Sequence, residues 1–327
     1  MINEIRQYDT AMSNFLPASE STRASHIRLA HISDPHLSSL EQINWKQLLN
    51  KRILGYLSWK FSRRHIQQRS ILDNLVADLN KFAPGHLLVS GDLTHIGTEI
   101  ECQQVKQWLT DLGSAHDISV IPGNHDYYTQ DDISRTFGCW SEYLAGDSQV
   151  GTPPAFPSFR QRGPVAIIGL SSALPTAPFF ATGELGEQQI KSLELMLAKA
   201  RKDGLFRIVM LHHGPLVTSN KFRKRLRDAR AFRDAIHAEG AELILHGHGH
   251  YPVWDSLHTE NFDIPVIGAA SASALSSSEH KRSGYNIYDV EALENCWKLS
   301  VHSRRFEPED GAFASVKEFE LSIPCEH

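Results

Sequence analysis

Short apolar runs alternate with longer segments of helical periodicity along this chain. Five runs rich in Ile, Leu and Val are short enough to be buried strands, and they cover 27–32, 86–89, 118–121, 207–211 and 243–245. Amphipathic patterns predict helices over 70–81, 99–112, 186–202 and 229–239. Further strands are predicted over 165–170, 265–268, 285–289 and 297–302. This alternation predicts an α/β fold.

Each of the five strands is followed at once by a short polar cluster. The clusters are Asp34-Pro35-His36, Gly91-Asp92, Gly123-Asn124-His125-Asp126, His212-His213-Gly214-Pro215 and Gly247-His248-Gly249-His250. Side chains just past the carboxyl ends of strands lie in the crevice where open α/β folds bind ligands. We therefore expect the five clusters to form one site.

The side chains in these clusters indicate which ligand the site binds. Imidazoles and carboxylates with one amide and no thiolate suit ions such as Mn, Fe or Zn. The clusters supply more ligands than one tetrahedral ion needs, which favours two ions. Two metals about 3.5–4 Å apart can stabilise both the attacking and the leaving oxygen in phosphoester hydrolysis.

The ordered pattern D-x-H, GD, GNH[DE], H and GHxH resembles that of the calcineurin-like metallophosphoesterase superfamily, over about residues 27–290. The resemblance implies a four-layer sandwich of two mixed β-sheets flanked by helices. It also implies two divalent metal ions, with Mn expected and Fe, Zn or Mg as alternatives. The first metal would be held by Asp34, His36 and His250. The second would be held by Asn124, His213 and His248, with Asp92 bridging both.

The fourth cluster leaves a choice of ligand, because His212 and His213 are adjacent. We expect His213, since the ligand in the family usually stands two residues before the proline, here Pro215. Of the histidines outside the clusters, His95 is the one that could support the ligands, because it follows Asp92 by three residues.

The resemblance gives His125 a role toward the substrate. Its imidazole would stabilise negative charge on phosphorus and protonate the leaving oxygen. Asp126 is expected to orient that imidazole, as carboxylates commonly do. The nucleophile would be a hydroxide bridging the two metals.

A basic, apolar segment lies between the first and second clusters. Residues 45–69 carry seven Lys and Arg and no acid, interleaved with Trp, Tyr, Phe, Leu and Ile. This pattern is typical of a helical element on an anionic membrane, but also of an insertion whose apolar face packs on the core. We expect a polar N-terminal extension over 1–25, a metallophosphoesterase domain over 26–327, and a helical insertion or lid over 40–82. If the segment is a membrane-facing lid, reversing the charge of Arg63 and Arg64 should reduce binding to anionic liposomes and leave the metals and His125 untouched.

Two features bear on the substrate. Residues 49–56, followed by an Arg-rich run, resemble bacterial enzymes that cleave the pyrophosphate of UDP-2,3-diacylglucosamine in lipid A synthesis. A cyclic-nucleotide or other phosphodiesterase is the alternative, and a catalytically silent metal-binding scaffold is a third hypothesis. Lys51, Arg52 and Arg225 are the candidate substrate contacts, since Lys and Arg side chains bind phosphate oxygens.

Composition limits the class of protein and its cellular compartment, but it does not indicate the substrate. Among 327 residues, 41% are hydrophobic and the formal net charge is −5, which supports a packed core and gives no case for general nucleic-acid binding. The four scattered cysteines fit a reducing compartment. We find no secretory signal and no apolar run of membrane-spanning length. The expectation is a cytoplasmic protein, with possible peripheral contact to an anionic inner membrane.

Overall fold

A computed structural model describes residues 25–37, 39–41, 43–130, 138–149, 154–216 and 222–325. The expected N-terminal extension therefore lies outside the described residues, apart from residue 25. The described strands form two mixed sheets of six strands each. They are β1 (His26–Ile32), β2 (His86–Val89), β3 (Ile118–Val120), β4 (Ser158–Arg162), β5 (Val165–Gly169), β6 (Phe206–Met210), β7 (Leu243–His246), β8 (Val253–His258), β9 (Asp263–Gly268), β10 (Gly284–Ala292), β11 (Cys296–Glu307) and β12 (Ala312–Pro324).

In each sheet, the strands that carry the polar clusters are parallel to one another. The first sheet has the order β12-β11-β10-β1-β2-β3, and the second has the order β4-β5-β6-β7-β9-β8. Strands β1, β2 and β3 are parallel, and so are β5, β6, β7 and β9. The carboxyl ends of β1, β2 and β3 in one sheet and of β6 and β7 in the other therefore carry the five clusters.

The longest helices cover the outer faces of the two sheets. The described helices are α1 (Arg52–Ser58), α2 (Arg64–Ile66), α3 (Arg69–Asn80), α4 (Glu99–Leu112), α5 (Ser141–Leu144), α6 (Glu187–Lys202) and α7 (Ala229–Glu239). Shorter turns of 3-10 helix lie at Trp45–Leu48, Asp147–Gln149, Phe222–Lys224 and Glu279–Lys281, and a π-helical turn lies at Trp59–Arg63.

Side chains alternate between the two faces of each strand, and this alternation explains how the sheets and helices form layers. On β5, Ala166 and Ile168 pack in one apolar cluster with α6 and α7. Val165 and Ile167 point the other way, into a cluster built from both sheets. Strands buried on both faces read as continuous apolar runs, which is the pattern of the sequence here. The molecule thus has helix, sheet, sheet and helix layers, and the predicted four-layer α/β sandwich is confirmed.

The segment expected as an insertion has two parts with different packing. Helix α3 belongs to the core, because Leu72 and Leu75 are buried against the first sheet. The part before α3 is held by a smaller cluster of Leu40, Trp59 and Ile96. We call residues 43–68 the insertion from here on. None of the described helices is long and apolar enough to cross a membrane.

The start of α4 fixes the loop that follows β2. Thr98 and Glu101 form a reciprocal capping box at the helix N-terminus. The Glu101 carboxylate also accepts hydrogen bonds from the backbone N–H groups of His95 (2.6 Å) and Ile96. This loop therefore has a fixed conformation where it passes the polar clusters.

Candidate metal centre

The structure brings the five clusters together in an unusual backbone conformation. Five of their residues have positive φ although none is glycine: Asp34 (50°), His36 (41°), Asp92 (57°), His248 (67°) and His250 (59°). Left-handed backbone is uncommon outside glycine, although Asp and His adopt it more readily than most residues, and such conformations cluster at functional sites. The strand ends are therefore shaped to aim these side chains inward.

A first group of potential ligands gathers around Asp34. Ligand atoms of Asp34, His36, Asp92 and His250 all lie within 4.8 Å of one another. Nε2 of His250 is 3.1 Å from Oδ1 of Asp34 and 3.4 Å from Nε2 of His36. Nδ1 of His36 donates to the carbonyl oxygen of Thr94 (2.9 Å), which leaves Nε2 as the coordinating nitrogen.

A second group shares Asp92 with the first. It joins Asp92 to His212 and His248, again with all ligand atoms within 4.8 Å. Nδ1 of His212 donates to the carbonyl oxygen of Ser90 (2.7 Å), so Nε2 points at Asp92. Because Asp92 belongs to both groups, it is placed to bridge two ions.

Several buried polar atoms of the five clusters have no hydrogen-bond partner. They are Oδ1 of Asp34, Oδ1 of Asn124 and Nε2 of His212, His213 and His248. Buried polar groups are almost always satisfied, so unpartnered carboxylate, amide and imidazole atoms in neighbouring loops fit a cation-binding site. Asn124 precedes His125, whose backbone N–H donates to Oδ1 of Asp92 (2.7 Å), so its amide oxygen fits as a further ligand near Asp92.

The electrostatics of the groups also suit a metal. Burial lowers the pKa of His36 and of His248 well below the usual value, which keeps both imidazoles neutral. Burial alone would raise the pKa of Asp34, but the facing His250 holds it well below its ordinary value. Metal ligation requires neutral imidazole and ionised carboxylate. The donor set therefore fits two divalent ions, without selecting among Mn, Fe, Zn and Mg.

The space between His212 and Asp92 also favours a positive charge. Burial lowers the pKa of His212, yet the Asp92 carboxylate outweighs this and raises it to about 9. A divalent ion bound between the two side chains would displace that proton.

At the fourth cluster the structure differs from the expected choice of ligand. His212, not His213, joins Asp92 and His248. Nδ1 of His213 instead lies 2.8 Å from Oγ of Ser172. Its ring also packs against Gly183, where an added Cβ would lie 2.3 Å from Nδ1. Nε2 of His213 is also buried without a hydrogen-bond partner, but it is not among the ligand atoms that gather around Asp92.

His125 lies beside the first group, with its ring centroid 5.1 Å from that of His36, but its hydrogen bonds differ from those expected. Nδ1 of His125 donates to the backbone carbonyl oxygen of His95. Asp126 does not touch the imidazole, because its two oxygens accept hydrogen bonds from backbone N–H groups of Thr94 and Gly123, both at 2.9 Å. Burial together with the nearby Asp92 raises the pKa of Asp126 to about 7. Asp126 therefore shapes the loop, and His95 orients the catalytic candidate.

A cleft of about 660 Å³ opens over Asn124 and His125. Four cations line it and no described carboxylate does: Lys51, Arg63, Arg223 and Lys224. Apolar side chains, Leu54, Phe179, Phe180 and Phe222 among them, form much of the remaining wall. The site thus offers positive charge and apolar surface side by side above the ligands.

The three expected substrate contacts have different surroundings. Lys51 lines the cleft, with Nζ 2.7 Å from the carbonyl oxygen of Thr176. Arg52 is buried and donates to the carbonyl oxygens of Ile96 (2.9 Å) and Gly97 (3.1 Å), so it anchors the insertion rather than facing substrate. Arg225 is exposed, stacks on Phe222 and does not line the cleft.

Sequence reasoning missed Arg63 as a site residue. Its Nη1 atom lies 3.0 Å from Nε2 and 3.2 Å from Nδ1 of His125. The expectation that a change at Arg63 leaves His125 untouched is therefore wrong. Arg64 is exposed. The sequence shows a run of adjacent cations, and nothing in it indicates which one points inward.

Comparison with known proteins agrees with this geometry. A model of the family of calcineurin-like phosphoesterases matches residues 27–252. The chain is 24% identical over 228 residues to a probable cyclic nucleotide phosphodiesterase of Synechococcus sp., which covers 69% of this chain and 79% of the relative. It is 25% identical over 210 residues to a probable cyclic nucleotide phosphodiesterase of Vesicomyosocius okutanii, covering 62% of this chain and 76% of the relative.

Among solved structures, a dimetal phosphatase from Danio rerio has a similar fold, with a TM-score of 0.59 and 11% identity over 92% of this chain and 99% of the other. The family match spans more than half of the chain and includes all five clusters. The chain therefore belongs to the family of calcineurin-like phosphoesterases and is a metal-dependent hydrolase.

Proposed function

We propose that this protein hydrolyses phosphodiester or pyrophosphate bonds with two divalent ions held by Asp34, His36, Asp92, Asn124, His212, His248 and His250. When bound, the ions would lower the pKa of a water molecule and stabilise charge on the phosphoryl group. The observation that supports this best is that Asp92 belongs to both ligand groups, with Asn124 and His125 directly under an open cleft.

His125 is suited to help the leaving oxygen depart. The hydrogen bond from Nδ1 to His95 fixes the tautomer, so Nε2 carries the lone pair. Burial, together with Arg63, holds the pKa of His125 well below its usual value. A bound phosphate brings negative charge that favours the protonated ring, which can then pass its proton to the leaving oxygen.

The cleft favours a substrate that is both anionic and apolar. A volume of about 660 Å³ holds one ligand of ordinary cofactor or drug size. Phe179 and Phe222 are strongly exposed at its edge, and the nearby insertion exposes Leu49 (74%) and Phe61 (75%). We propose a nucleotide-linked lipid, UDP-2,3-diacylglucosamine, whose pyrophosphate would lie in the cleft while its acyl chains contact these apolar side chains.

Contact with an anionic membrane is part of the same proposal. The insertion exposes Trp45, Leu49 and Phe61 next to Lys46 and Lys60. Exposed apolar side chains with cations and no acid among them are typical of an element that lies on an anionic bilayer.

A cyclic nucleotide is the second candidate substrate. The two relatives named probable cyclic nucleotide phosphodiesterases favour it, although they are only 24% and 25% identical to this chain. Such a substrate fits the cleft and its cations but makes no use of the exposed apolar side chains of the insertion.

A parallel assay distinguishes these possibilities. The purified protein is loaded with Mn and given UDP-2,3-diacylglucosamine in detergent, cyclic AMP, or bis(p-nitrophenyl) phosphate. We expect turnover of the synthetic diester and a higher kcat/KM for the lipid than for cyclic AMP. A higher kcat/KM for cyclic AMP would favour the second substrate. Bound metal without turnover of any substrate would contradict the proposed activity and support the scaffold hypothesis.

A further inference from the structure

The insertion reaches into the metal centre through a single side chain. Arg63 is the last residue of the π-helical turn Trp59–Arg63, and π-turns often occur at functional sites. Among the described residues, no carboxylate forms an ion pair with its guanidinium, which instead contacts the ring of His125. A half-buried cation that no described carboxylate pairs, beside a reaction centre, needs an explanation.

The geometry of the contact shows which part of the imidazole stays available. Nη1 of Arg63 is nearly equidistant from the two ring nitrogens of His125, at 3.0 and 3.2 Å. An atom at these distances within the ring plane would collide with the carbon between the nitrogens, so the guanidinium lies over the ring face. The in-plane lone pair of Nε2 is therefore not occupied by Arg63.

The insertion holds Arg63 in a fixed position. Trp59 is buried, and its ring contacts that of His95 at a centroid distance of 6.5 Å. Gly55 on α1 is packed so closely that an added Cβ would lie 2.4 Å from the side chain of Ile96. Together with the buried Arg52, these contacts fasten the insertion to the loop that carries His95.

The charges around Arg63 indicate its ligand. Asp34 and Asp92 are the carboxylates that attract it most, and both are candidate metal ligands. Two bound divalent ions would neutralise those carboxylates and leave the guanidinium facing the cleft without a counter-charge. A phosphoryl oxygen is the anion that the site would then supply.

We propose that Arg63 is a substrate-binding residue whose guanidinium donates to a non-bridging phosphoryl oxygen while it packs on the ring of His125. This inference rests on the proposed phosphoesterase activity and adds to it a role for the insertion. The insertion is then a part of the active site that every phosphoester substrate meets, small soluble diesters included.

The test compares Arg63→Ala and Arg63→Lys with Arg64→Ala. Arg64 is a matched control because it is the next residue, carries the same charge and is exposed. Binding of inorganic phosphate to the Mn-loaded protein is measured by calorimetry, and hydrolysis of bis(p-nitrophenyl) phosphate is followed with and without added guanidinium chloride. Metal content and circular dichroism are recorded for each variant.

We expect Arg63→Ala to weaken phosphate binding by about 10- to 100-fold, the usual loss for a charge-assisted hydrogen bond. Metal content should stay at the wild-type value, added guanidinium should restore part of the turnover, and Arg63→Lys should retain part of it. Arg64→Ala should behave like wild type. Unchanged phosphate binding in a folded, metal-loaded Arg63→Ala protein would overturn the proposal, as would a loss of turnover that neither guanidinium nor lysine restores.

Failure of the proposed activity would look different. In that case the wild-type protein would not hydrolyse the diester at all. The calorimetric comparison of Arg63→Ala with wild type would still decide whether Arg63 binds phosphate.

Discussion

Nε2 of His212 lies 3.3 Å from Oδ2 of Asp92, inside the metal centre, whereas the ring of the adjacent His213 turns to Ser172. The hydrogen bond from Nδ1 of His212 to the carbonyl oxygen of Ser90 holds the coordinating nitrogen toward Asp92. Second contacts of this kind commonly orient metal-bound histidines. The geometry therefore favours His212 as the ligand from the fourth cluster.

Alanine substitution separates the two neighbouring histidines. His212→Ala should remove a ligand and lower occupancy of the second metal site, whereas His213→Ala should leave both sites occupied. Elemental analysis after dialysis, with manganese titration of each variant, checks this. Retention of both ions by His212→Ala together with their loss from His213→Ala would restore the ligand expected from the sequence.

A second comparison separates a bridging ligand from a residue that acts on substrate. Asp92→Ala should lose both ions, because Asp92 belongs to both ligand groups. His125→Ala should keep its ions and lose roughly 10²–10⁴-fold in kcat, the range for a general acid. Metal analysis and turnover of bis(p-nitrophenyl) phosphate are measured on the same preparations. Metal loss in His125→Ala would assign that ring to coordination instead.

The fold was largely predictable because its core strands are continuous apolar runs. The run over 86–89 and the helix over 99–112 have the predicted bounds. Strands β4, β8 and β12 were not predicted, because charged and polar residues interrupt their apolar pattern. In β12, for example, Lys317 and Glu318 stand in the middle of the strand.

The sequence predicts which residues form the site, but not the direction in which each side chain points. The ordered clusters indicate which segments meet, because strand ends converge at one edge of each sheet. They do not show that Asp34, Asp92 and His248 have positive φ, which decides where each side chain points. In the same way, adjacent cations at 63 and 64 are equivalent in sequence, and only helical phase places Arg63 over His125.

A methyl group at Gly123 tests how closely the loops approach one another. An added Cβ would lie 2.2 Å from Oδ1 of Asp92 and 2.4 Å from its backbone nitrogen, so Asp92 must move. Gly123→Ala should therefore weaken binding of both metals and abolish most turnover while the protein stays folded. Gly85→Ala is the control, since its Cβ would meet only ordinary contacts at 3.6 and 3.7 Å. Full metal content and activity in Gly123→Ala would mean that the loops are looser than the structure shows.

The exposed apolar side chains of the insertion provide the test of lipid handling. Leu49 and Phe61 are 74% and 75% exposed, and neither lines the cleft. If they enter a bilayer or contact acyl chains, replacing both with serine should weaken liposome binding and lower kcat/KM for UDP-2,3-diacylglucosamine by about 10-fold or more, because a fully buried Leu or Phe contributes roughly 1.5–3 kcal/mol.

Turnover of bis(p-nitrophenyl) phosphate should be unchanged in the same Leu49→Ser, Phe61→Ser protein, because Arg63, His125 and the metal ligands are untouched. The control is Leu293→Ser, which alters an exposed leucine in the turn after β10. That turn lies beside the amino end of β1, since Ala292 donates its backbone N–H to the carbonyl oxygen of Ser25. Equal losses on the lipid and on the soluble diester would mean that these side chains support the fold of the insertion. The cyclic nucleotide would then be the better-supported substrate.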